Sequence, residues 1–393
     1  MIEPARPFQG MNMTFLVTED CNMRCSYCYE HNKRKADLPL DTAIKFIQLM
    51  LDDPDPIGVM GTHHEWILNQ GAVLDFLGGD AFMRVDLCEE IIKHFQFYSM
   101  VKQHRWAKRW RANFSTNGTL FGDPKVRSFM HRYKDNISVG ISIDGCPEIH
   151  DRNRIFPNGK GSMSTIMKWW NWYHDWTGGN PNVKATLNRE SIPYIAESVK
   201  YMHEDMKISR IFMNFIFEDM NLDDHDLAEL DHQMNLVVEY VLEHRDDMYL
   251  SMIDRNMGRT GTSEGSDLDT TWCGAGSMPC VVPNGNIYPC FRFTPLTHSS
   301  KVEDFPFGNV AEGLIRKDRL EEIRSQTRRK ISPPECLTCD TERGCSWCIG
   351  GAYSSTGTFY RGLNLCKPRK IISRWADRYW NTYDKLNAKE VIA

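Results

Sequence analysis

Between residues 11 and 217 the chain repeats one pattern. A short run of β-branched, aromatic and aliphatic residues is followed by a longer stretch whose apolar positions recur three and four residues apart. Six short runs read as strands: "MNMTFLV" (11–17), "AVLDFLGG" (72–79), "RANFST" (111–116), "ISVGISI" (137–143), "VKATLN" (183–188) and "RIFMNFIF" (210–217). The stretches between them read as amphipathic helices, such as "LDTAIKFIQLMLDD" after the first run and Ala81 to Val101 after the second. This alternation predicts a parallel α/β domain. Each polar signature in this half follows a strand's C-terminal end: the loop "TEDCNMRCSYCYEH" (18–31), "GGD" (78–80), "STNG" (115–118) and "SIDG" (142–145). Any one of the glycines could serve only a turn. Repeated at equivalent strand ends, where parallel α/β folds and barrels bind ligands, they point to one composite site.

The pattern changes after residue 217. "DHDLAELDHQMNLVVEYVLEHRDD" (224–247) reads as a helix, and "GRTGTSEGSDLDT" after it as a loop, so 218–270 is expected to connect two parts. Beyond it cysteine, glycine and proline rise together. "CVVPNGNIYPC" (280–290) predicts a hairpin in which Asn284-Gly285 supplies positive φ, and from Lys367 a closing amphipathic helix is expected. No repeat or low-complexity segment interrupts this order. The boundaries implied are 1–217, 218–270 and 271–393.

The chain has 393 residues, 41% hydrophobic and 25% charged, enough for a large folded core rather than disorder. No window reaches about eighteen consecutive apolar residues, so no membrane span is expected. The N-terminus has no secretory pattern, which places the chain in the cytoplasm as an expectation. A net charge of -5 argues against nucleic acid as a partner. Thirteen cysteines are hard to read as disulfides in that compartment, and metal or cluster ligation is the better expectation. Cys88 and Cys146 stand alone, Cys88 within a helix where it reads as a core residue. The others fall into an N-terminal group of three and a C-terminal group of eight.

Cys21, Cys25 and Cys28 form CxxxCxxC. A structural zinc site closes with four protein ligands, and only three thiols are local here. A 4Fe-4S cluster held by three thiolates leaves one iron free for an outside ligand, so the absent fourth ligand becomes a coordination site.

With Tyr27 before its third cysteine, this motif resembles that of the radical S-adenosylmethionine (AdoMet) enzymes. The resemblance implies a partial (β/α)6 TIM-like barrel, a cluster on Cys21, Cys25 and Cys28, AdoMet on its free iron, and a 5'-deoxyadenosyl radical made after one-electron reduction. It further implies that Gly78, Gly79 and Asp80 of "LGGD" stand where members carry a GGE-like motif for the AdoMet amino group, with Asp80 a departure shorter by one methylene. Ser115 and Asn117 would approach the ribose. Ser142, with Arg154 of "HDRNR", would contact the ribose and the methionine carboxylate, for which a guanidinium is the natural planar partner.

"CLTCDTERGCSWC" contributes Cys336, Cys339, Cys345 and Cys348, a spacing that alone would also suit paired zinc knuckles. Together with Cys273, Gly285, Cys290 and Cys366 it resembles the SPASM extension of radical AdoMet peptide-modifying enzymes, a cysteine-rich domain with a β-hairpin and loops around two iron-sulfur clusters. One spacing is two residues where the motif has three. The resemblance implies two auxiliary 4Fe-4S clusters, one on Cys273, Cys280, Cys290 and Cys348 and one on Cys336, Cys339, Cys345 and Cys366, hence three clusters in all. Cys280 lies outside the motif's core, and without it the first auxiliary cluster would keep an open iron.

SPASM enzymes mostly act on peptides, so the expected partner is a ribosomally made precursor peptide, with a Cys-rich (CXXX-repeat) target suspected and thioether cross-linking the leading reaction. A formylglycine-installing sulfatase maturase, a peptide epimerase and a non-enzymatic metal scaffold are the alternatives. The resemblance also implies an electron donor such as flavodoxin or ferredoxin. Twenty residues before Cys21 are too few for a winged-helix leader domain, so leader recognition is expected to fall to the barrel, to the SPASM region or to a separate leader-binding protein. The stretch 102–111 ("KQHRWAKRWR") reads as a solvated helix end more than a leader site, and His63-His64 as a loop. Glu218, Asp219 and Asp144 are candidate general bases, and the sequence does not choose among them.

Overall fold

The computed structural model describes residues 10–53, 70–255, 269, 273–345 and 347–392. His63-His64 and most of the "GRTGTSEGSDLDT" loop lie outside the described residues. Seven strands run parallel and in sequence order: β1 (Met11–Thr18), β2 (Ala72–Gly78), β3 (Trp110–Thr116), β4 (Ile137–Ser142), β5 (Asn182–Leu187), β6 (Arg210–Phe215) and β7 (Tyr249–Leu250). The six expected strands are all present, each starting or ending within two residues of its expected bound. The two-residue β7 falls in the stretch read as a connector. It is too short to carry a period.

Helices cover one face of this sheet. They include α1 (Leu40–Asp52), α2 (Val85–Val101), α3 (Pro124–Arg132), α4 (Ile195–Glu204) and α5 (Asp224–Glu243). In α1 the buried positions are Ala43, Phe46, Ile47, Met50 and Leu51, the stripe that the sequence spacing predicts. The stretch expected to be helical from Ala81 opens as a 3-10 turn, Ala81–Arg84, because Asp80 caps it by accepting from the Phe82 N–H. Cys88 is fully buried in α2, as a core cysteine should be. A capping box between Asp223 and Asp226 starts α5. The last helix, α6 (Cys366–Ile392), lies against α5, and its Trp375 Nε1 donates to Asp231 Oδ1 at 2.7 Å.

The C-terminal hairpin continues the same sheet. Strand β8 (Cys280–Val281) pairs parallel to β1, β9 (Asn286–Tyr288) antiparallel to β8, and β10 (Gly308–Asn309) antiparallel to β9, giving the order β10-β9-β8-β1-β2-β3-β4-β5-β6-β7. The hairpin is therefore not a detached module: its hydrogen bonds cross the expected boundary near residue 271. Only Gly285, with φ of +87°, takes the left-handed conformation at its turn; Asn284 does not.

The inner face of the parallel strands is polar. Along β3 the residues Trp110, Ala112, Phe114 and Thr116 are buried, and Arg111, Asn113 and Ser115 alternate with them toward a cavity. Asn182, Lys184 and Thr186 do the same on β5. Closed barrels usually fill this space with branched aliphatic side chains. Here it is left open.

Candidate active site

The three N-terminal cysteines stand on a loop that leaves the C-terminal end of β1. Their loop is anchored from several sides. Arg24 Nη1 donates to the carbonyls of Cys21 and Met23, both at 2.8 Å, and Ser26 Oγ donates to Asn153 Oδ1 at 3.1 Å. Gly78 and Gly79 are needed because the end of β2 runs directly against this loop. A Cβ on Gly79 would lie 1.8 Å from the Asp20 carbonyl oxygen, and one on Gly78, whose φ is +129°, 2.1 Å from that of Thr18. The glycines also line the cavity, so they shape its floor while admitting the cysteine loop.

That cavity, of about 710 Å³, brings together Cys21, Cys25, Cys28, Tyr27, Gly78, Gly79, Ser115, Asn117, Ser142 and Arg154, ten residues drawn from five separate stretches of sequence. Asp80 is the exception. It is buried behind the glycines, and its carboxylate accepts from Phe82 N at 3.0 Å, Thr116 Oγ1 at 2.8 Å and Asn117 N at 2.8 Å. The expectation that Asp80 itself reaches a ligand amine is thus at odds with its placement. Asp80 ties the end of β3 to the end of β2. Asn117 is held in turn by donating from Nδ2 to Asn22 Oδ1 at 2.8 Å.

Arg154 is a buried residue, not a surface ion pair. Its Nε lies 3.0 Å from Asp144 Oδ1, and its guanidinium lies 5.5 Å from the Tyr27 ring centroid. Asp144, fully buried, also accepts from the Tyr27 hydroxyl and from the Thr186 N–H. A carboxylate with three such partners orients Arg154 and Tyr27, and is poorly free to act as a base. Burial and Asp144 together push the Tyr27 hydroxyl well up despite the opposing charge of Arg154.

Lys33 and Glu30 join the site from the same loop. Lys33 Nζ is 3.1 Å from Cys28 Sγ and 3.5 Å from Glu30 Oε2. Burial disfavours the lysine charge, yet Cys28, Glu30 and Cys21 more than offset this and raise its pKa. Burial also pushes the Cys21 thiol up to about 12. Asp75, on the inner face of β2, is pushed up to about 6 by burial, with Lys184 acting against it. Lys33, Glu30 and Asp75 were not singled out from sequence. Lys33 is one charge among several after the motif, whereas the lone carboxylate in the apolar run "AVLDFL" was a visible signal.

The C-terminal cysteines divide into two neighbourhoods. Cys290 is pushed up by burial and by the adjacent thiols of Cys348 and Cys273, and Cys280, fully buried in β8, by burial and then Cys290. Cys336 is raised by burial and by Cys345, Cys366 and Cys339 beside it. These last four line a second cavity, of about 460 Å³. Cys348 lines both cavities, as do Phe217, Glu218 and Arg292, which form a shared wall. In that wall Arg292 Nη2 donates to Glu218 Oε1 at 2.7 Å and its guanidinium stacks 4.4 Å from the Tyr29 ring centroid. Glu218 is therefore ion-paired, and Asp219 lines only the second cavity.

The donor sets suit iron-sulfur clusters. All thirteen cysteines are free thiols. Among the described residues no three cysteine sulfurs lie within 4.8 Å of one another, the closeness that one tetrahedral zinc ion requires. Backbone N–H groups already point at sulfurs: Met23 N to Cys21 at 3.4 Å, Ala275 N to Cys273 at 3.4 Å and Gly351 N to Cys348 at 3.2 Å. Such donors stabilise thiolate ligands.

A parallel partial barrel with a three-cysteine loop at the end of its first strand, continued by a cysteine-rich hairpin region, is the fold of the radical AdoMet enzymes with a SPASM-type extension. The chain is similar to the anaerobic sulfatase-maturating enzymes. It superposes on the structure of native anSMEcpe with bound AdoMet with a TM-score of 0.69 at 18% identity, over 95% of this chain and 99% of that one. SuiB of Streptococcus suis bound to its precursor peptide SuiA gives a TM-score of 0.56 at 14% identity, over 91% and 76%. By sequence, the cysteine-type anaerobic sulfatase-maturating enzyme of Clostridium novyi is 26% identical over 52% of this chain and 47% of its own length, so the chain spans about half of that relative. The serine-type enzyme of Bacteroides thetaiotaomicron is 24% identical over 88% of this chain and 84% of its own. No family model matches the chain. Among the described residues no helix is long and apolar enough to cross a membrane.

Proposed function

We propose that the protein is a radical AdoMet enzyme that modifies a peptide. The observation that carries this is the meeting of Cys21, Cys25 and Cys28 with Ser115, Ser142 and Arg154 around one cavity. With a 4Fe-4S cluster and AdoMet bound, such a site supplies a 5'-deoxyadenosyl radical able to take a hydrogen atom from carbon. The chain's own residues would hold and orient: the three thiols the cluster, Arg154 the methionine carboxylate, Ser115, Asn117 and Ser142 the ribose. Asp144 keeps Arg154 charged and aimed. The polar inner face of β3 and β5 offers hydrogen-bonding groups to an entering peptide backbone.

The reaction we favour on that peptide is cross-linking, with a cysteine thioether as product. A second reading, oxidation of a cysteine or serine to formylglycine, is favoured by the end-to-end correspondence with the serine-type sulfatase-maturating enzyme. Electron delivery by a flavodoxin or ferredoxin, two auxiliary clusters, a Cys-rich target and a cytoplasmic setting complete the proposal.

The test is anaerobic reconstitution with iron and sulfide, then AdoMet and dithionite. 5'-Deoxyadenosine should form and should vanish when Cys21, Cys25 and Cys28 are all replaced by Ala; continued formation in that variant would refute the reading. A candidate peptide encoded beside the gene then separates the products. A thioether removes two hydrogens and creates no aldehyde, whereas the aldehyde of formylglycine reacts with a hydrazide.

A further inference from the structure

Outside both cavities, the ends of α4 and α5 bring together two imidazoles and a carboxylate. His203 is on α4, His244 caps α5 and Asp247 lies in the turn that follows. His203 Nε2 and His244 Nδ1 are each 3.7 Å from Asp247 Oδ2, and the two rings are 4.9 Å apart. The three candidate ligand atoms all lie within 4.8 Å of one another. None of them is hydrogen-bonded to another. Backbone bonds from the Asp247 and Met248 N–H groups to the His244 carbonyl, both 3.2 Å, fix the turn that presents Asp247.

The tautomer of His203 follows from its other nitrogen. Nδ1 is 2.7 Å from the Tyr240 hydroxyl, which donates to Glu204 Oε1 at 3.2 Å. An ionised carboxylate can only accept, so the tyrosine proton goes to Glu204 and His203 Nδ1 must be the donor to the tyrosine oxygen. The lone pair of the neutral ring is then on Nε2, facing Asp247 and His244. A ring-nitrogen lone pair and a carboxylate oxygen that face each other repel unless a cation or a proton lies between them. The surroundings favour one: Glu204, Glu243 and Asp247 outnumber Lys207.

We propose that His203, His244 and Asp247 form a binding site for one divalent cation of the zinc type, with Tyr240 as its orienting partner. Two imidazoles and one carboxylate with an open fourth position are a common zinc ligand set, and a hydrogen bond on the far nitrogen of a ligating histidine is the usual support. The site is independent of the cysteine clusters. Its place suggests its effect: Asp247 is two residues before β7, whose Tyr249 pairs with Arg210 of β6. A bound ion would link α4 to α5 and hold the strand that ends the parallel sheet.

The experiment uses the cluster-loaded protein, equilibrated with zinc chloride, desalted and assayed for zinc and iron together. Wild type should hold one more zinc per chain than the His203→Ala/His244→Ala double variant at equal iron, and zinc should raise its melting temperature. Asp247→Ala, a change at an exposed turn that leaves both helices intact, should lose both effects. Tyr240→Phe keeps every ligand and should weaken zinc binding by about tenfold, the usual size of an outer-partner effect. Equal zinc in wild type and the variants, or an unchanged melting temperature on adding zinc, would overturn the proposal.

Discussion

Cys345 and Cys348 are separated by only two residues yet face different thiols. Cys345 adjoins Cys336 and Cys366. Cys348 caps the helix Ile349–Thr356, adjoins Cys273 and Cys290, and reaches the cavity of the N-terminal cysteines. A CxxC pair that would share one zinc ion in a knuckle is here split between two sets.

This split predicts which cluster each cysteine serves. Fully reconstituted protein should contain about twelve irons per chain, from three four-iron clusters. Cys348→Ala should reduce this to about eight and spare the signal of the set containing Cys345, and Cys345→Ala the reverse. Electron paramagnetic resonance of the reduced variants distinguishes the two. Loss of the same signal in both would mean that the pair shares one metal centre.

Gly79→Ala should be far more damaging than an ordinary glycine substitution. Its methyl would collide with the Asp20 backbone and, at 2.8 Å, with the Cys21 Cβ. Relieving this clash must displace the cysteine loop. The expected result is loss of about 1–3 kcal/mol of stability, together with selective loss of the cluster proposed for Cys21, Cys25 and Cys28. Iron content and 5'-deoxyadenosine yield measure it, and full activity at normal stability would contradict the close approach.

Arg154→Met removes the partner of a fully buried Asp144. Breaking a buried pair from one side typically costs about 3–5 kcal/mol, because the remaining carboxylate keeps its hydrogen bonds but loses its opposite charge. The double change Arg154→Met/Asp144→Asn should recover much of that stability without recovering AdoMet binding. Denaturant unfolding and equilibrium dialysis with AdoMet separate the two effects.

His150 predicts a pH dependence. It is fully buried, accepts from the Asp144 N–H at Nδ1, and lies 2.9 Å from Ser162 Oγ through Nε2. Burial lowers its pKa from 6.5 to about 4, with Asp144 opposing. The unfolded chain therefore binds this proton more readily than the folded one. Its contribution is complete above about pH 6.5 and is lost as the pH falls toward 4, amounting to about 3 kcal/mol in all. Comparing cluster-loaded wild type with His150→Gln at each pH isolates it; parallel unfolding curves across that range would show that the residue plays no part.

The periodicity of the chain announced the six longer strands because each alternates or repeats over at least six residues. The two-residue β7 and the pairing of β8 with β1 were invisible, since neither leaves a period and the second joins Thr14 to Cys280 across most of the sequence. The spacing of Cys21, Cys25 and Cys28, together with the resemblance it carries, pointed to the loop that lines the main cavity. Asp80 was read by its place in a motif, and geometry gave its carboxylate to Phe82, Thr116 and Asn117. Lys33 beside Cys28 could not be foreseen, because a loop lysine carries no pattern until the loop's path is known.

The position of β1 between β2 and β8 governs how the molecule can be made. Thr14 donates its backbone N–H to the Pro279 carbonyl at 2.9 Å, so the strand that leads into the first cysteines keeps a bare edge until the ribosome has produced residue 280. A nascent chain thus displays its reactive thiols beside an unpaired strand for most of its synthesis, a state prone to misassociation. Closure of that edge waits for the C-terminal hairpin, so the first strand completes its pairing only after residue 280 has been made.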